Sequence, residues 1–111
     1  MIPGMILQIN FNLNVPVEEY QKMADAVAHV FADVPGLKWK IWLLNPKTLE
    51  AGGIYHFDSQ ASVDAYLNGP IVAQLKGLTA VRDISVKQFE AMPEVTALTR
   101  GPVAAAMTSE A

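Results

Sequence analysis

Two short stretches hold most of the residues able to do chemistry: Leu37-Lys38-Trp39-Lys40-Ile41-Trp42 and Glu50-Ala51-Gly52-Gly53-Ile54-Tyr55-His56-Phe57. Flat indole and phenol rings beside residues without side chains leave room for a concave, aromatic-walled space, the usual form of a small-molecule site. Trp39, Trp42 and Tyr55 would wall such a space and stack on a ring, with Gly52 and Gly53 keeping it roomy. Tyr55, Asn10 and Lys40 carry groups that hydrogen-bond an oxyanion. His56 has the side chain whose ordinary pKa, about 6.5, best suits proton abstraction near neutrality. Each of these residues also has a plainer use. Trp39 and Trp42 are an odd number of positions apart, so on a strand they oppose each other, and one of them is ordinary core or interface. Paired glycines mark bulges as well as cavities. A histidine more often sits hydrogen-bonded at an interface than in catalysis. Lys38 and Lys40 can flank a strand and reach water along their long stems. Asn10 can satisfy backbone groups across a subunit contact.

The elements that must position these groups follow from the pattern. Met5 to Leu13 alternates, with Leu7, Ile9 and Phe11 on one side and Gln8 and Asn10 on the other, which predicts a strand. Asn14-Val15-Pro16 opens a helix, with Asn14 as the expected cap and Glu18 and Glu19 at the positive end of the dipole. Tyr20, Met23, Ala24, Val27, Phe31 and Val34 form its apolar stripe, His29 lies on the solvated side, and Pro35-Gly36 ends it. Leu37 to Leu44 and Ala51 to Phe57 form an antiparallel hairpin around Asn45-Pro46-Lys47-Thr48. Asp58 or Ser59 caps a second helix bearing Val63, Tyr66 and Leu67, broken at Asn68-Gly69-Pro70. A short helical piece over Ile71 to Lys76 and a strand over Val81 to Phe89 complete the order. Past Met92 the pattern fades into a C-terminal arm or tail.

The resulting plan is α+β: a ferredoxin-like β-α-β-β-α-β domain over residues 1–91, with helices on one face of a four-stranded antiparallel sheet and an arm over 92–111. The other face is expected to be mixed, holding Gln8, Asn10, Lys40 and Trp42, and to be covered by the sheet of a second copy. A homodimer also suits a chain of 111 residues in which 51% are hydrophobic and only 17% charged. The net charge of -3 and the lack of any basic cluster speak against nucleic acid as a partner. No cysteine is present, and the N-terminal apolar run is broken by Gln8 and Asn10. A cytoplasmic protein without membrane attachment is therefore expected. There is no G-x-G-x-x-G, P-loop, C-x-x-C or H-E-x-x-H, two isolated histidines make a poor metal site, and Ser59 and Ser62 read as cap and helix surface.

Gly36-Leu37-Lys38-Trp39-Lys40-Ile41-Trp42, Glu50-Ala51-Gly52-Gly53-Ile54-Tyr55 with Phe57, and Ala65-Tyr66-Leu67 together resemble the signature of the YdhR-type family. That family is part of the dimeric α+β barrel superfamily. The resemblance runs over about residues 5–90. It implies a ferredoxin-like subunit that dimerises, and it adds Tyr66 to the substrate-binding candidates. Its members are called monooxygenases because related barrels oxidise aromatic phenols and quinols without metal or flavin. The implied partners are a small aromatic substrate and dioxygen, with no cofactor. Such chemistry needs a deprotonated phenol, a polar group for the oxyanion and a site closed to bulk water. Tyr55 and His56 are then the catalytic candidates, and Asn10, Trp39, Lys40, Trp42, Gly52, Gly53 and Tyr66 the binding ones. His56 occupies a variable position of the pattern. A non-catalytic binding protein for a hydrophobic aromatic metabolite would use the same pocket without a base. Haem-degrading relatives hold iron through a histidine on the second helix, and residues 59–69 contain none.

Overall fold

The alternation in the first strand decides which side of the sheet becomes core. In β1 (Met5–Leu13), Leu7, Ile9, Phe11 and Leu13 are buried, while the intervening residues are half-exposed. A computed structural model describes residues 4–103. After β1 come α1 (Val17–Ala32), β2 (Leu37–Asn45), β3 (Glu50–Phe57), α2 (Gln60–Leu67), α3 (Pro70–Lys76), β4 (Val81–Glu90) and α4 (Pro93–Leu98). The strands form one antiparallel sheet in the order β2-β3-β1-β4, with β1 and β3 central. This is the expected ferredoxin-like arrangement. Phe57, Leu7, Ile9, Leu13 and Val63 form its driest part.

The helix boundaries have local causes. Gly36, at φ 81°, takes the left-handed backbone that lets the chain turn from α1 into β2. The Ser59 hydroxyl caps α2 by accepting from the Ser62 N–H at 3.2 Å. Asn14 does not cap α1, contrary to expectation. Its side chain donates to the Thr79 carbonyl at 3.0 Å and accepts from Arg82 at 2.7 Å, tying the end of β1 to β4, and Pro16 takes the cap position.

Two features depart from the pattern. The β2–β3 register shifts between Leu37 and Trp39, after which Lys40 pairs with Tyr55 and Trp42 with Gly53. Because Tyr55 and Ile9 face the helices, Lys40 and Trp42 do as well. They do not share the open face with Gln8 and Asn10, where the sequence places them. Trp39, Ile41, Ile54 and His56 take that face instead. The ladder runs unbroken through Gly52 and Gly53, so the glycines do not mark a bulge. The arm beyond Met92 begins with α4 and brings Val103 to a buried position. The remainder of the expected tail lies outside the described residues.

Candidate functional site

Helix α1 carries the apolar stripe read from the sequence, yet none of its residues is fully buried, and Val27 and Val30 are each 41% exposed. The stripe faces a hollow. A cavity of about 270 Å³ lies between α1, the sheet and α3, with Phe11, Tyr20, Phe31, Trp42 and Tyr55 among its walls. Leu75 and Ile71 of α3 close a further side, and Tyr66 of α2 adds a phenol.

Polar groups in this space are few. Lys40 runs inward along β2, and its ammonium Nζ lies 3.5 Å from the Phe31 ring centre, 3.4 Å from that of Trp42 and 4.7 Å from that of Tyr55. Gly53 makes this path possible, since a methyl group there would fall 2.7 Å from Lys40 Cε. Gly52 serves packing instead, because its Cβ would collide with the Ile9 carbonyl oxygen on β1. Among the described residues no carboxylate lines the cavity. Burial of the amine therefore goes uncompensated by an opposite charge and lowers its pKa to about 7. The ring faces favour the ammonium form, each by about 0.5–1 kcal/mol. That is smaller than the desolvation cost, so Lys40 stays much easier to deprotonate than an exposed lysine.

The second polar element is a pair of phenols. Tyr66 donates its hydroxyl to that of Tyr55 at 3.1 Å, inside a cluster of rings that also contains Phe31 and Phe57. Two hydroxyl protons and one mutual bond leave one proton free for a ligand. Burial raises the pKa of both phenols, Tyr66 to about 12 and Tyr55 further, with the neighbouring Tyr66 adding to the shift. Both stay protonated donors across the neutral range. Burial also raises Tyr20. The arrangement is an apolar, aromatic-walled slot holding one easily deprotonated amine and one free phenolic donor.

The structure thus brings together Lys40, Trp42, Gly52, Gly53, Tyr55 and Tyr66, and it separates from them His56, Trp39 and Asn10. His56 packs against Trp39 on the far side of the sheet, ring centres 5.4 Å apart. Its pKa is lowered by burial first and by the Lys38 charge second. It cannot act as a base in this cavity, because β3 stands between. Asn10 joins a polar track on that same far face, accepting from Gln8 and donating to Glu50 at 3.1 Å. His29 is exposed, so neither histidine reaches the cavity. Among the described residues no group of three His, Cys, Asp or Glu is placed to hold a metal ion. Phe31, Tyr20 and Gln74 are lining residues that the sequence reading leaves out of the site. The first two stand in plain view on the α1 stripe, where a wall residue and a core residue look the same.

Residues 6–102 match the model of a family described as "Putative mono-oxygenase ydhR". The match takes in α4 and so extends past residue 90, where the sequence resemblance stops. No curated protein matches the chain. Several solved structures share its fold. A protein of unknown function from Nitrosomonas europaea superposes with a TM-score of 0.70 at 17% identity, over 82% of this chain and 91% of that one. SnoaB, a cofactor-independent oxygenase from Streptomyces nogalater, gives 0.66 at 18% identity over 83% and 99%. The haem degrader MhuD from Mycobacterium tuberculosis, with two haems in its active site, gives 0.60 at 24% identity over 78% and 95%. At these identities the likeness concerns architecture.

Proposed function

Because the chain belongs to the ydhR mono-oxygenase family, we propose that its helix-side cavity oxidises a small aromatic phenol or quinol with dioxygen and without a cofactor. The observation that carries this reading is Lys40, an amine without a carboxylate partner aimed into an aromatic slot. A cavity that only stored a hydrophobic metabolite would have no use for a half-buried amine without a carboxylate partner, which costs stability. A phenol does have a use for one. Held in the slot beside the Trp42 and Phe31 rings, it gives its proton to neutral Lys40, and the resulting ion pair suits the low dielectric of the site. The free proton of the Tyr55–Tyr66 pair then hydrogen-bonds the phenolate oxygen. The ionised ring passes one electron to dioxygen, the two radicals combine as a ring hydroperoxide, and loss of water leaves the quinone. One phenol and one dioxygen thereby become one quinone and one water.

Homodimerisation through the open sheet face belongs to the same proposal. Ile41 and Phe89 are each about half exposed there, at 51% and 50%, on the side of the sheet opposite the cavity. Oxygen uptake with a panel of anthrones and hydroquinones tests the activity. Saturable uptake that Lys40→Met lowers supports it, and uptake no faster than the uncatalysed rate across the whole panel overturns it.

A further inference from the structure

We propose that the cavity captures an aromatic aldehyde or ketone by forming a reversible imine with the Lys40 amine. Four features meet at this residue. Nζ lies against the rings of Phe31 and Trp42, 3.5 and 3.4 Å from their centres, and Lys40 lines the cavity beside them. Among the described residues no acidic side chain lines the cavity to hold the amine as a fixed ammonium. The titratable groups facing Lys40 there are the phenols Tyr20, Tyr55 and Tyr66, all uncharged near neutrality. Gly53 clears a path for the stem, so the amine approaches without displacing β3.

Lysines become nucleophiles when an apolar pocket disfavours their charge. The amine nitrogen bonds to the carbonyl carbon as the C=O π pair moves to oxygen. That oxygen takes up a proton from the Tyr55–Tyr66 hydroxyl pair, and the nitrogen returns one to the pair. The nitrogen lone pair then forms the C=N bond as the hydroxyl leaves, the remaining N–H proton passes to that hydroxyl through the phenol pair to make water, and amine plus carbonyl becomes imine plus one water, with no oxidant or reductant involved. The apolar walls keep water scarce, which holds the equilibrium on the imine side. The chain supplies its own controls, since Lys22, Lys38, Lys47, Lys76 and Lys87 are all exposed.

This inference concerns the amine and not oxygen chemistry, so the test runs under nitrogen and stands apart from the oxidase assay. The full chain is incubated with 2-hydroxy-1-naphthaldehyde at about pH 7.5, reduced with cyanoborohydride and mapped by mass spectrometry. The expected result is one adduct per chain, on Lys40, formed at least about tenfold faster than on any exposed lysine, because the apolar walls disfavour the charged form of Lys40 alone. 2-Naphthol, which fills the slot but has no carbonyl, is expected to slow that labelling and leave the exposed lysines unaffected. Lys40→Arg is expected to remove the fast adduct. Labelling of Lys40 no faster than of the exposed lysines, or a fast adduct that 2-naphthol does not slow, overturns the proposal. The wild-type map with its competitor decides the matter even where the variant does not fold.

Discussion

Lys40 is the residue on which the proposed chemistry of the cavity turns, and its titration has a definite sign. Its folded pKa of about 7 lies below the unfolded value of about 10.4. Below pH 7 both states carry the proton and the full burial penalty applies. Between 7 and 10.4 the unfolded chain binds the extra proton, so stability rises with pH across that window and levels off above it. Lys40→Met keeps the stem and removes the charge. Urea unfolding at pH 6 is expected to show the variant more stable by about 1–2 kcal/mol, with the slope between pH 7 and 10 gone; the ring contacts hold the gain below the full desolvation cost. Oxygen uptake by the wild type is expected to rise as pH passes upward through about 7, as the base loses its proton. Lys40→Met is expected to cut uptake by about 100-fold or more, the ordinary worth of a positioned base. A variant that gains stability and loses turnover together would identify a residue kept for chemistry at the expense of the fold.

At the level of elements, the order of strands and helices was legible in the alternation of β1, the proline and glycine stops and the hairpin turn. The odd spacing of Trp39 and Trp42 also showed that they oppose each other. Which face each would take was not legible. Lys40 and Trp42 read as residues of the mixed face with Gln8 and Asn10, and the register shift beside Leu37 turns both toward the helices. Nor does a helical stripe reveal whether it meets a packed sheet or a hollow, so α1 looked like ordinary core packing. The two glycines separate the structural from the functional use of this hairpin. Gly52→Ala forces a methyl into the β1 backbone at Ile9 and is expected to cost roughly 2–3 kcal/mol, seen as a lower melting temperature. Gly53→Ala meets first the flexible end of Lys40, at 2.7 Å, and more loosely the Tyr55 ring at 3.2 Å and the Ile41 carbonyl oxygen at 3.4 Å. It is expected to fold nearly normally while deflecting the amine, lowering uptake and restoring an ordinary lysine reactivity. Helix α1, lacking any fully buried residue, is the element a ligand would steady. Amide exchange over Val17–Ala32 is expected to slow when 2-naphthol binds, while β1 and β3 change little.

The whole molecule has two unlike sides. One holds the helices and the cavity, and the other is an open sheet face where Trp39, Ile41, Ile54 and Phe89 lie beside the polar track of Gln8, Asn10 and Glu50. The mixed character of this face was visible in β1, where apolar and amide side chains share one side, and it motivated the expectation of a second copy. His56 acquires a role here that it does not have in the cavity. It is buried, its Nδ1 and the Trp39 indole Nε1 have no hydrogen-bond partner among the described residues, and its pKa is lowered by burial and by Lys38, against the opposing pull of Asp58. A histidine with a folded pKa below its unfolded value of about 6.5 contributes stability that is complete above 6.5 and is lost as pH falls through the folded value. If two open faces pack together, protonation of two such rings strains the assembly from within. Sedimentation at micromolar concentration is expected to give a dimer at pH 7.5 that weakens by pH 5. His56→Phe, which packs on Trp39 without charging, is expected to hold the dimer at both values. Ile41→Asp on the same face is expected to give a folded monomer at neutral pH, since the aspartate would have to be buried without a partner. A wild type that sediments as a monomer at pH 7.5 would remove the dimer from this account and leave the cavity, which lies within one chain, unaffected.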